Sequence, residues 1–422
     1  MKIDRIDTVT NPEYPQLVWV QIGTDGGLIG LGETSFGVAA VEEFIHSELA
    51  SYLLGQDPLK IEAHWEAVRA RGRSQMARNA EIRALSAIDV ALWDIFGQAA
   101  RMPVHQAMGG TFQDRIRVYN TCANYHSAVR RPPRGSRRSQ VFTGDPETGC
   151  AEGPYNDHDA FLTRADELAE SLLSEGFTAM KIWPFDQFYS EADGNSISEA
   201  SLTKACEPFR KIRRAVGNRM EVAAELICRW NLPTAVRIAQ ALEEFDVMWI
   251  EDPIPMNNID ALADFRRKVR QPVTASETVA MRESFRELFE RRAIDICMLD
   301  ITWCGGLTES KKIAAMANSY KLPIAPHDCT GPVALMAGVH LSLHAPNAKI
   351  QETVRSFNAG WYPRIVDELP RIEGGFAYAP TRPGLGMALR ESFVRDRDTV
   401  VRTSRAMGAA SRPRARTPTR KR

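Results

Sequence analysis

The 422-residue chain lacks several features that would assign it to a special class of protein. It has no run of about 18 apolar residues, so no membrane-spanning helix and no membrane partner are expected. Residues 1–5 are mostly charged and contain no apolar signal-peptide core. Its seven cysteines include no Cys-x-x-Cys pair. We therefore expect reduced thiols in a cytoplasmic protein, without a disulfide framework or a zinc site.

The chain also lacks a net charge, because 53 basic residues balance 53 acidic ones. The balance is uneven, since residues 402–422 carry eight basic groups and no acidic group. The rest of the chain therefore has an acidic excess and is expected to bind no nucleic acid. Residues 404–422 are interrupted by proline and poor in apolar side chains, which predicts a disordered basic tail. An arm that binds polyanions or contacts another subunit is the alternative.

The hydrophobic content of 44% and the charged content of 25% are typical of globular proteins. The length exceeds that of one ordinary domain, which favours two. Lys2–Thr8, Leu17–Thr24 and Leu28–Glu33 alternate apolar and polar residues, which predicts a small antiparallel sheet. Helical periodicity follows and is strongest over Asn79–Ala100. Residues 1–112 are therefore predicted to form an N-terminal α+β domain.

Residues 113–365 have a different pattern, in which short apolar segments alternate with longer helical ones. Eight segments are candidate strands: Val118–Thr121, Ala179–Trp183, Glu221–Leu226, Met248–Glu251, Val273–Ala275, Ile296–Leu299, Ile324–Ala325 and Ala348–Ile350. Eight βα units over about 250 residues predict a TIM-type (β/α)-barrel in the α/β class. Residues 126–158 form a long insertion after the first strand and are expected to lie over the barrel mouth. Their basic residues either meet an anionic substrate or are simply solvated.

Titratable side chains follow six successive predicted strands, 23 to 27 residues apart: Glu225, Glu251, Glu277, Asp300, His327 and Glu352. Because the carboxyl ends of barrel strands share one rim, we expect these side chains to converge on one mouth. A single acid after a strand is often the N-cap of the next helix. Six titratable residues at the spacing of one βα unit are harder to explain as caps.

The residue types at this mouth indicate a metal and a base. Glu225, Glu251 and Glu277 repel one another unless a cation compensates their charge. Ligation by oxygen alone suits magnesium, so one Mg²⁺ per chain is predicted. Asp300 and His327 lie on adjacent strands, where a carboxylate can orient an imidazole as a general base requires.

Two motifs resemble signatures of the enolase superfamily, in its mandelate racemase/muconate lactonizing enzyme-like branch. The first is residues 84–98, ALSAIDVALWDIFGQ, followed by Pro103-Val104 and Met108-Gly109. The second is the triplet Glu251-Asp252-Pro253. The resemblance extends from about residue 2 to about residue 400. It implies an enolase-like modified barrel under an N-terminal capping domain, with residues 366–403 returning to the cap.

The resemblance also implies roles for individual residues. The magnesium ligands would be Glu225, Glu251 and Glu277. The catalytic residues would be His327 and Asp300 as the base dyad, Glu352 and Lys181. Glu352 would hydrogen-bond the developing enolate, and Lys181 would help to neutralise the substrate carboxylate.

Two positions depart from the family pattern. Trp183, a candidate substrate contact, stands where racemases carry a second lysine. Because an indole cannot accept a proton, a two-base racemase is disfavoured. Ile227 stands where many sugar-acid dehydratases carry histidine and others carry asparagine, so one expected proton donor is missing.

The resemblance implies removal of the proton beside a carboxylate, followed by dehydration of a sugar acid, an aldonate or aldarate, to a 2-keto-3-deoxy acid. Such an enzyme would be a hydro-lyase of carbohydrate-acid catabolism and a homo-oligomer, from dimer to octamer. A one-base epimerase or cycloisomerase is the enzymatic alternative. A degenerate, non-catalytic member that only binds a metal or ligand is the other.

Overall fold

The computed structural model describes residues 1–71, 80–125 and 155–406. Most of the predicted insertion, residues 126–154, and residues 407–422 of the predicted tail lie outside this part of the chain. The six cysteines within the described part are free thiols. No helix in the same part is long and apolar enough to cross a membrane.

An antiparallel sheet covered by helices forms the N-terminal domain. Its first three strands are β1 (Ile3–Thr10), β2 (Leu17–Thr24) and β3 (Ile29–Ser35). The helical segments that follow are α1 (Val38–Phe44), a π-helical turn (Ile45–Leu49), α2 (Ala50–Leu53), α3 (Ile61–Arg71), α4 (Ala80–Ala100) and α5 (Val104–Ala107). The apolar face of α4, with Ile88 and Leu92, shares a buried core with Val18 and Val20 of the sheet. The periodicity of the sequence therefore predicted both layers.

The second domain is a ring of parallel strands. Its strands are β4 (Arg115–Thr121), β5 (Ala179–Ile182), β6 (Glu221–Glu225), β7 (Ile250–Glu251), β8 (Val273–Ala275), β9 (Ile296–Cys297) and β10 (Gln351–Thr353). Between β9 and β10, the position of one strand is occupied by Ile324, which forms isolated parallel bridges with Cys297 and Ala348. Strand β10 pairs with β4 and closes the ring. The prediction of a TIM-type barrel with an α+β cap is confirmed.

Helices surround the barrel. They are α6 (Asp157–Thr163), α7 (Ala165–Ser174), α8 (Glu199–Val216), α9 (Leu232–Leu242), α10 (Ile259–Lys268), α11 (Arg282–Glu290), α12 (Ile301–Cys304), α13 (Gly306–Ser319), α14 (Pro332–His344), α15 (Arg355–Asn358) and α16 (Tyr362–Ile365). Short 3₁₀ segments are Asp186–Glu191, Gly217–Arg219 and Glu243–Phe245. The side chains of Ser198, Asn231 and Asn258 accept backbone N–H bonds and fix the starts of α8, α9 and α10.

The last described elements contact both domains. They are β11 (Ile372–Glu373), β12 (Phe376–Tyr378), α17 (Glu391–Val394) and β13 (Val400–Arg405). Strand β12 pairs with β4 of the barrel, whereas β13 pairs with β1 of the cap. The prediction that the disordered tail begins at residue 404 is wrong, because Ser404 and Arg405 continue this ladder and the Ala406 N–H donates to Asp4 O (3.0 Å). Ser404 Oγ also lies 2.8 Å from His46 Nδ1.

Two buried histidines join the cap to the barrel. His105 on α5 and His340 on α14 stack with their ring centroids 5.2 Å apart. The backbone N–H of His105 donates to His340 Nδ1 (3.1 Å), and His340 Nε2 donates to Leu385 O (3.0 Å). A proton on His340 Nδ1 would point at the backbone N–H of His105, and the hydrogen bond between them would be lost. Burial lowers the pKa of His340 to about 3.

Acid is therefore expected to destabilise the fold through His340. The unfolded chain binds a proton near pH 6.5 and the folded chain does not until about pH 3, so stability falls as the pH drops below 6.5. The largest slope is about 1.4 kcal/mol per pH unit. His340→Gln keeps a donor for Leu385 O but removes the titration. Urea midpoints should fall less steeply for this variant than for the wild type between about pH 7 and pH 5. Equal slopes would contradict the assignment.

Candidate active site

A layer of buried side chains fills the barrel interior and sets the direction of the residues beyond it. The layer consists of Tyr119, Ala179, Ala223, Trp249, Ile296, Met298, Ala325 and Ile350. Side chains two positions apart on a strand point to the same side. Two positions after members of this layer come Thr121, Lys181, Glu225, Glu251, Asp300, His327 and Glu352. Alternation along the strands thus brings six of the predicted residues, together with Thr121, to the carboxyl end of the barrel.

Lys181 lies at the centre of these residues and is only 3% exposed. Its ammonium group contacts Glu251 Oε1 and lies 2.9 Å from Glu352 Oε1 and 3.5 Å from Glu225 Oε2. Burial disfavours the charged form of Lys181, but Glu251 and Glu352 raise its pKa well above the usual value. Lys181 is therefore a permanent positive charge among carboxylates.

The three predicted metal ligands, Glu225, Glu251 and Glu277, lie at the same end of the barrel and differ in their hydrogen-bond partners. Glu251 Oε2 accepts a bond from Trp249 Nε1 (2.8 Å), and Glu225 Oε1 accepts one from the Ile227 N–H (2.6 Å). Glu277 Oε2 is buried without a hydrogen-bond partner. Burial, followed by the charge of Glu251, raises the pKa of Glu225 well above its ordinary range. Among the described residues, no three Asp, Glu, His or Cys side chains are already arranged as a metal site.

The predicted base dyad is formed. His327 Nδ1 lies 2.8 Å from Asp300 Oδ2. The other carboxylate oxygen of Asp300 accepts bonds from the N–H and the hydroxyl of Thr302, both at 2.7 Å. Burial opposes a charge on His327, but Glu352 and the bond to Asp300 outweigh it and raise the pKa of His327 to about 10. Asp300 thus fixes the ring and makes it more basic.

Glu352 connects the dyad to Lys181. Its Oε2 lies 3.9 Å from His327 Nε2 and accepts a bond from the Asp328 N–H (2.9 Å). Its Oε1 accepts a bond from Thr121 Oγ1. Although burial opposes its charge, Lys181 and His327 hold the pKa of Glu352 below its usual value. Thr121 is not among the predicted site residues. The only feature of the sequence that indicates its role is its position two residues after Tyr119, on the same side of the strand.

A cavity of about 590 Å³ opens above this cluster. Five predicted residues line it: Lys181, Trp183, Glu225, Glu277 and His327. The remaining three, Glu251, Asp300 and Glu352, are 0% exposed and support the residues in the wall. Ile227 also lines the cavity, so both departures from the family pattern lie where a ligand would bind.

Residues of the cap close one side of the cavity. Phe36 and Arg83 of the cap line the cavity, as does Trp303 of the barrel. The guanidinium of Arg83 lies 4.3 Å from the centroid of the Trp303 ring and donates to Ser35 O (2.8 Å). The cavity is therefore built from both domains.

The described end of the predicted insertion lies at the barrel mouth. Asn156 forms a bridge with Asn124, which follows β4. Asp157 accepts two 2.8 Å bonds from Arg355, which follows β10. The His158 ring lies 5.7 Å from that of Trp183. The expected position is therefore seen for residues 155–158, whereas residues 126–154 lie outside the described part.

Comparisons with known proteins agree with this architecture. The chain is 28% identical over 387 residues to a D-xylonate dehydratase of Haloferax volcanii, covering 90% of this chain and 85% of that one. It is 29% identical over 404 residues to a D-galactonate dehydratase of Ralstonia nicotianae, covering 94% of each. A solved enolase from Sargasso Sea environmental DNA is 43% identical, with a TM-score of 0.84 and coverage of 96% and 99%.

Another solved structure, an enolase of the mandelate racemase subgroup from Agrobacterium tumefaciens, is 41% identical, with a TM-score of 0.83 and coverage of 96% and 99%. Two family models match successive parts of the chain. Residues 6–109 match the mandelate racemase/muconate lactonizing enzyme N-terminal domain. Residues 164–393 match the enolase C-terminal domain-like family. The chain therefore belongs to the enolase superfamily, in its mandelate racemase-like branch.

Proposed function

We propose that the chain is a hydro-lyase that removes the proton beside the carboxylate of a sugar acid and eliminates the neighbouring hydroxyl, giving a 2-keto-3-deoxy acid. The observation that carries the proposal is the 2.8 Å contact of His327 with Asp300 in a cavity that also exposes Lys181. Two relatives that match 90% or more of the chain are named sugar-acid dehydratases, which supports the same reaction class.

The carboxylates at the mouth fit one magnesium ion. Lys181 contacts Glu225, Glu251 and Glu352, and the other described cation beside them is the protonated His327. Together with Glu277 and Asp300, the carboxylates outnumber these two cations, so the cluster has an excess of negative charge. Glu277 Oε2 has no hydrogen-bond partner, and the raised pKa of Glu225 shows that its negative charge is not fully compensated. Both observations are those expected where a further cation binds. Carboxylate oxygens are the ligands that magnesium prefers. Glu225, Glu251 and Glu277 would hold the ion, which supplies Lewis-acid stabilisation of negative charge on the substrate carboxylate.

Binding and activation of the substrate carboxylate are assigned to Lys181, with Glu352 as the residue that positions it. The ammonium group of Lys181 offers positive charge without any proton transfer, because its pKa lies well above the usual value. Glu352 is held in place by Lys181, Thr121 and Asp328. Because its low pKa keeps Glu352 ionised, the group that stabilises negative charge on the substrate is Lys181, which Glu352 holds in place so that it need not reorganise first.

Proton transfer is assigned to His327. The pKa of about 10 keeps His327 protonated at neutral pH while the surrounding carboxylates are uncompensated, and a cation held by Glu225, Glu251 and Glu277 would lower it and free Nε2. With Nδ1 bonded to Asp300, the neutral imidazole takes the substrate proton on Nε2 and becomes an imidazolium that the Asp300 carboxylate stabilises. The same imidazolium then gives a proton to the departing hydroxyl. His327 would serve in both steps, since the two wall positions where the family pattern has a second proton-transfer group hold Ile227 and Trp183, which cannot exchange protons.

A one-base epimerase or cycloisomerase is the second candidate. Both reactions use the same abstraction by His327 and differ only in the fate of the intermediate, which is reprotonated or opened. Ile227 favours this alternative over a dehydratase mechanism in which a second residue at this position protonates the leaving hydroxyl, because the Ile227 side chain has no proton to give. The predicted homo-oligomeric state and cytoplasmic location stay predictions.

The test is a library of aldonates and aldarates, each incubated with enzyme and Mg²⁺ and assayed for a 2-keto-3-deoxy acid. At least one member should give this product in stoichiometric yield. Each mixture is also examined by NMR for C2 epimers and lactones. Epimer or lactone without keto acid would replace the dehydratase assignment by the second candidate. No change of any substrate would contradict both.

A further inference from the structure

The loops that carry the base dyad are attached to the cap by two buried carboxylates. Helix α14 begins five residues after His327, and Glu33 Oε1 of β3 accepts a bond from the Ala334 N–H in its first turn (3.1 Å). Helix α13 begins six residues after Asp300. There, Asp89 Oδ2 of α4 accepts a bond from the Thr308 N–H (2.9 Å). Within six residues of each dyad residue, a helix therefore begins whose free N-terminal N–H group is bonded by a carboxyl group of the other domain.

Two glycines make these contacts possible. A Cβ atom on Gly331 would lie 2.2 Å from Glu33 Oε1, and a Cβ atom on Gly306 would lie 2.3 Å from Asp89 Oδ2. Both distances are far shorter than a van der Waals contact. Any other residue at either position would push the carboxylate away from the helix. The two attachments are thus built in the same way.

Two further residues of β3 contact the Asp300 loop. Thr34 Oγ1 donates to Thr302 O (2.8 Å), and Trp303 Nε1 donates to Ser35 Oγ (2.9 Å). Thr302 is the residue whose N–H and hydroxyl hold Asp300. The Trp303 ring lies 5.4 Å from the His327 ring. The cap therefore touches the immediate neighbours of both dyad residues.

We propose that Glu33, Thr34, Ser35 and Asp89 of the cap are positioning residues that hold the Asp300–His327 dyad in its working geometry. This assignment rests on the proposed role of His327 as the base. Burial raises the pKa of Glu33 to about 8 and that of Asp89 to about 7, so keeping these acids in the interior is energetically unfavourable. Their backbone contacts lie on the loops of the dyad, where a small displacement has a large effect on rate.

Asp94 provides a matched control for a purely structural role. It lies on the same helix as Asp89, is 1% exposed and accepts two backbone bonds of 2.8 Å, from Leu31 and Leu385. It also faces a glycine, since a Cβ on Gly384 would lie 2.1 Å from Asp94 Oδ1. Its partners belong to β3 and to the C-terminal segment, and neither carries a dyad residue.

The kinetic test compares Glu33→Gln, Asp89→Asn and Thr34→Val with Asp94→Asn, all below their melting temperatures. The three dyad-side variants should lower kcat about tenfold or more and leave KM within about twofold, because only the proton-transfer geometry changes. Asp94→Asn should lower the melting temperature without lowering kcat. An equal kcat loss in Asp94→Asn, or no loss in the other three, would overturn the proposal. Thr34→Val removes only one hydroxyl group and is expected to fold. Its kcat can therefore still be compared with that of Asp94→Asn if Glu33→Gln or Asp89→Asn does not fold.

A spectroscopic measurement separates this proposal from the proposed function. In ¹⁵N-histidine-labelled enzyme, the His327 signals are those that His327→Asn removes, and the Nδ1–H resonance reports the bond to Asp300. This resonance should shift or broaden in Glu33→Gln and Asp89→Asn and stay unchanged in Asp94→Asn. It needs no substrate, so it tests positioning even if no acid sugar is dehydrated. An unchanged resonance in the dyad-side variants would overturn the proposal.

Discussion

Replacing His327 with asparagine is expected to lower kcat by at least about a thousandfold, because the general base and the proton donor are lost together. Asparagine can keep a hydrogen bond to Asp300 but cannot accept the substrate proton. Folding should survive, since the imidazole packs at the cavity wall and not in the barrel core. The expected signature is a lost chemical step with little change in substrate binding.

The isotope experiment shows which steps depend on His327. In deuterated water the keto acid made by the wild type should carry deuterium at C3, where the enol product takes up solvent hydrogen. Recovered substrate should show little inversion at C2, because Trp183 provides no base on the opposite face. His327→Asn should lose both product formation and exchange.

Trp183→Ala is the companion variant, because Trp183 lines the same cavity without a transferable proton. It should raise KM far more than it lowers the rate of proton transfer. Recovered substrate that is a mixture of C2 epimers without keto acid would reveal a second base. The dehydratase proposal would then give way to the epimerase alternative.

The candidate site was largely predictable because two regular spacings coincide in the sequence. One βα unit separates successive strand ends, and alternation turns every second side chain of a strand inward. Charged residues such as Glu225 and His327 are conspicuous at those positions. Thr121 occupies an equivalent position but is neutral, so nothing in the sequence distinguishes it from an ordinary strand residue.

The contribution of the cap was not predictable in the same way. The contacts of Arg83 with Trp303 and of Glu33 with Ala334 join residues more than 200 positions apart. No regular spacing in the sequence predicts contacts between residues so far apart in the chain, because these contacts depend on how the two domains pack. The end of β13 was missed for another reason. Its residues are mostly exposed, and its basic side chains resemble those of the predicted tail.

Removal of magnesium is expected to abolish turnover. Without the ion, Lys181 is the only described cation within contact distance of Glu225 and Glu251, and additional negative charge on a substrate carboxylate would be repelled by these acids. Treatment with EDTA should therefore reduce activity to the background rate, and added Mg²⁺ should restore it. Full activity in rigorously metal-free buffer would contradict the metal assignment.

Glu251→Gln should weaken metal binding by about tenfold or more, since it replaces a charged oxygen ligand with an amide. Glu309→Gln is the matched control, because Glu309 is also 0% exposed and paired with a cation, Arg282, but does not contact the cluster. Mn²⁺ titration of metal-free protein, followed by the relaxation rate of water protons, measures one site per chain in the wild type and in Glu309→Gln. Both variants lose a buried carboxylate charge, so a general loss of stability would weaken Mn²⁺ binding equally in the two. Weaker binding confined to Glu251→Gln is the result that places the ion at the carboxylates of the barrel mouth, and equal affinity in all three proteins would contradict that position.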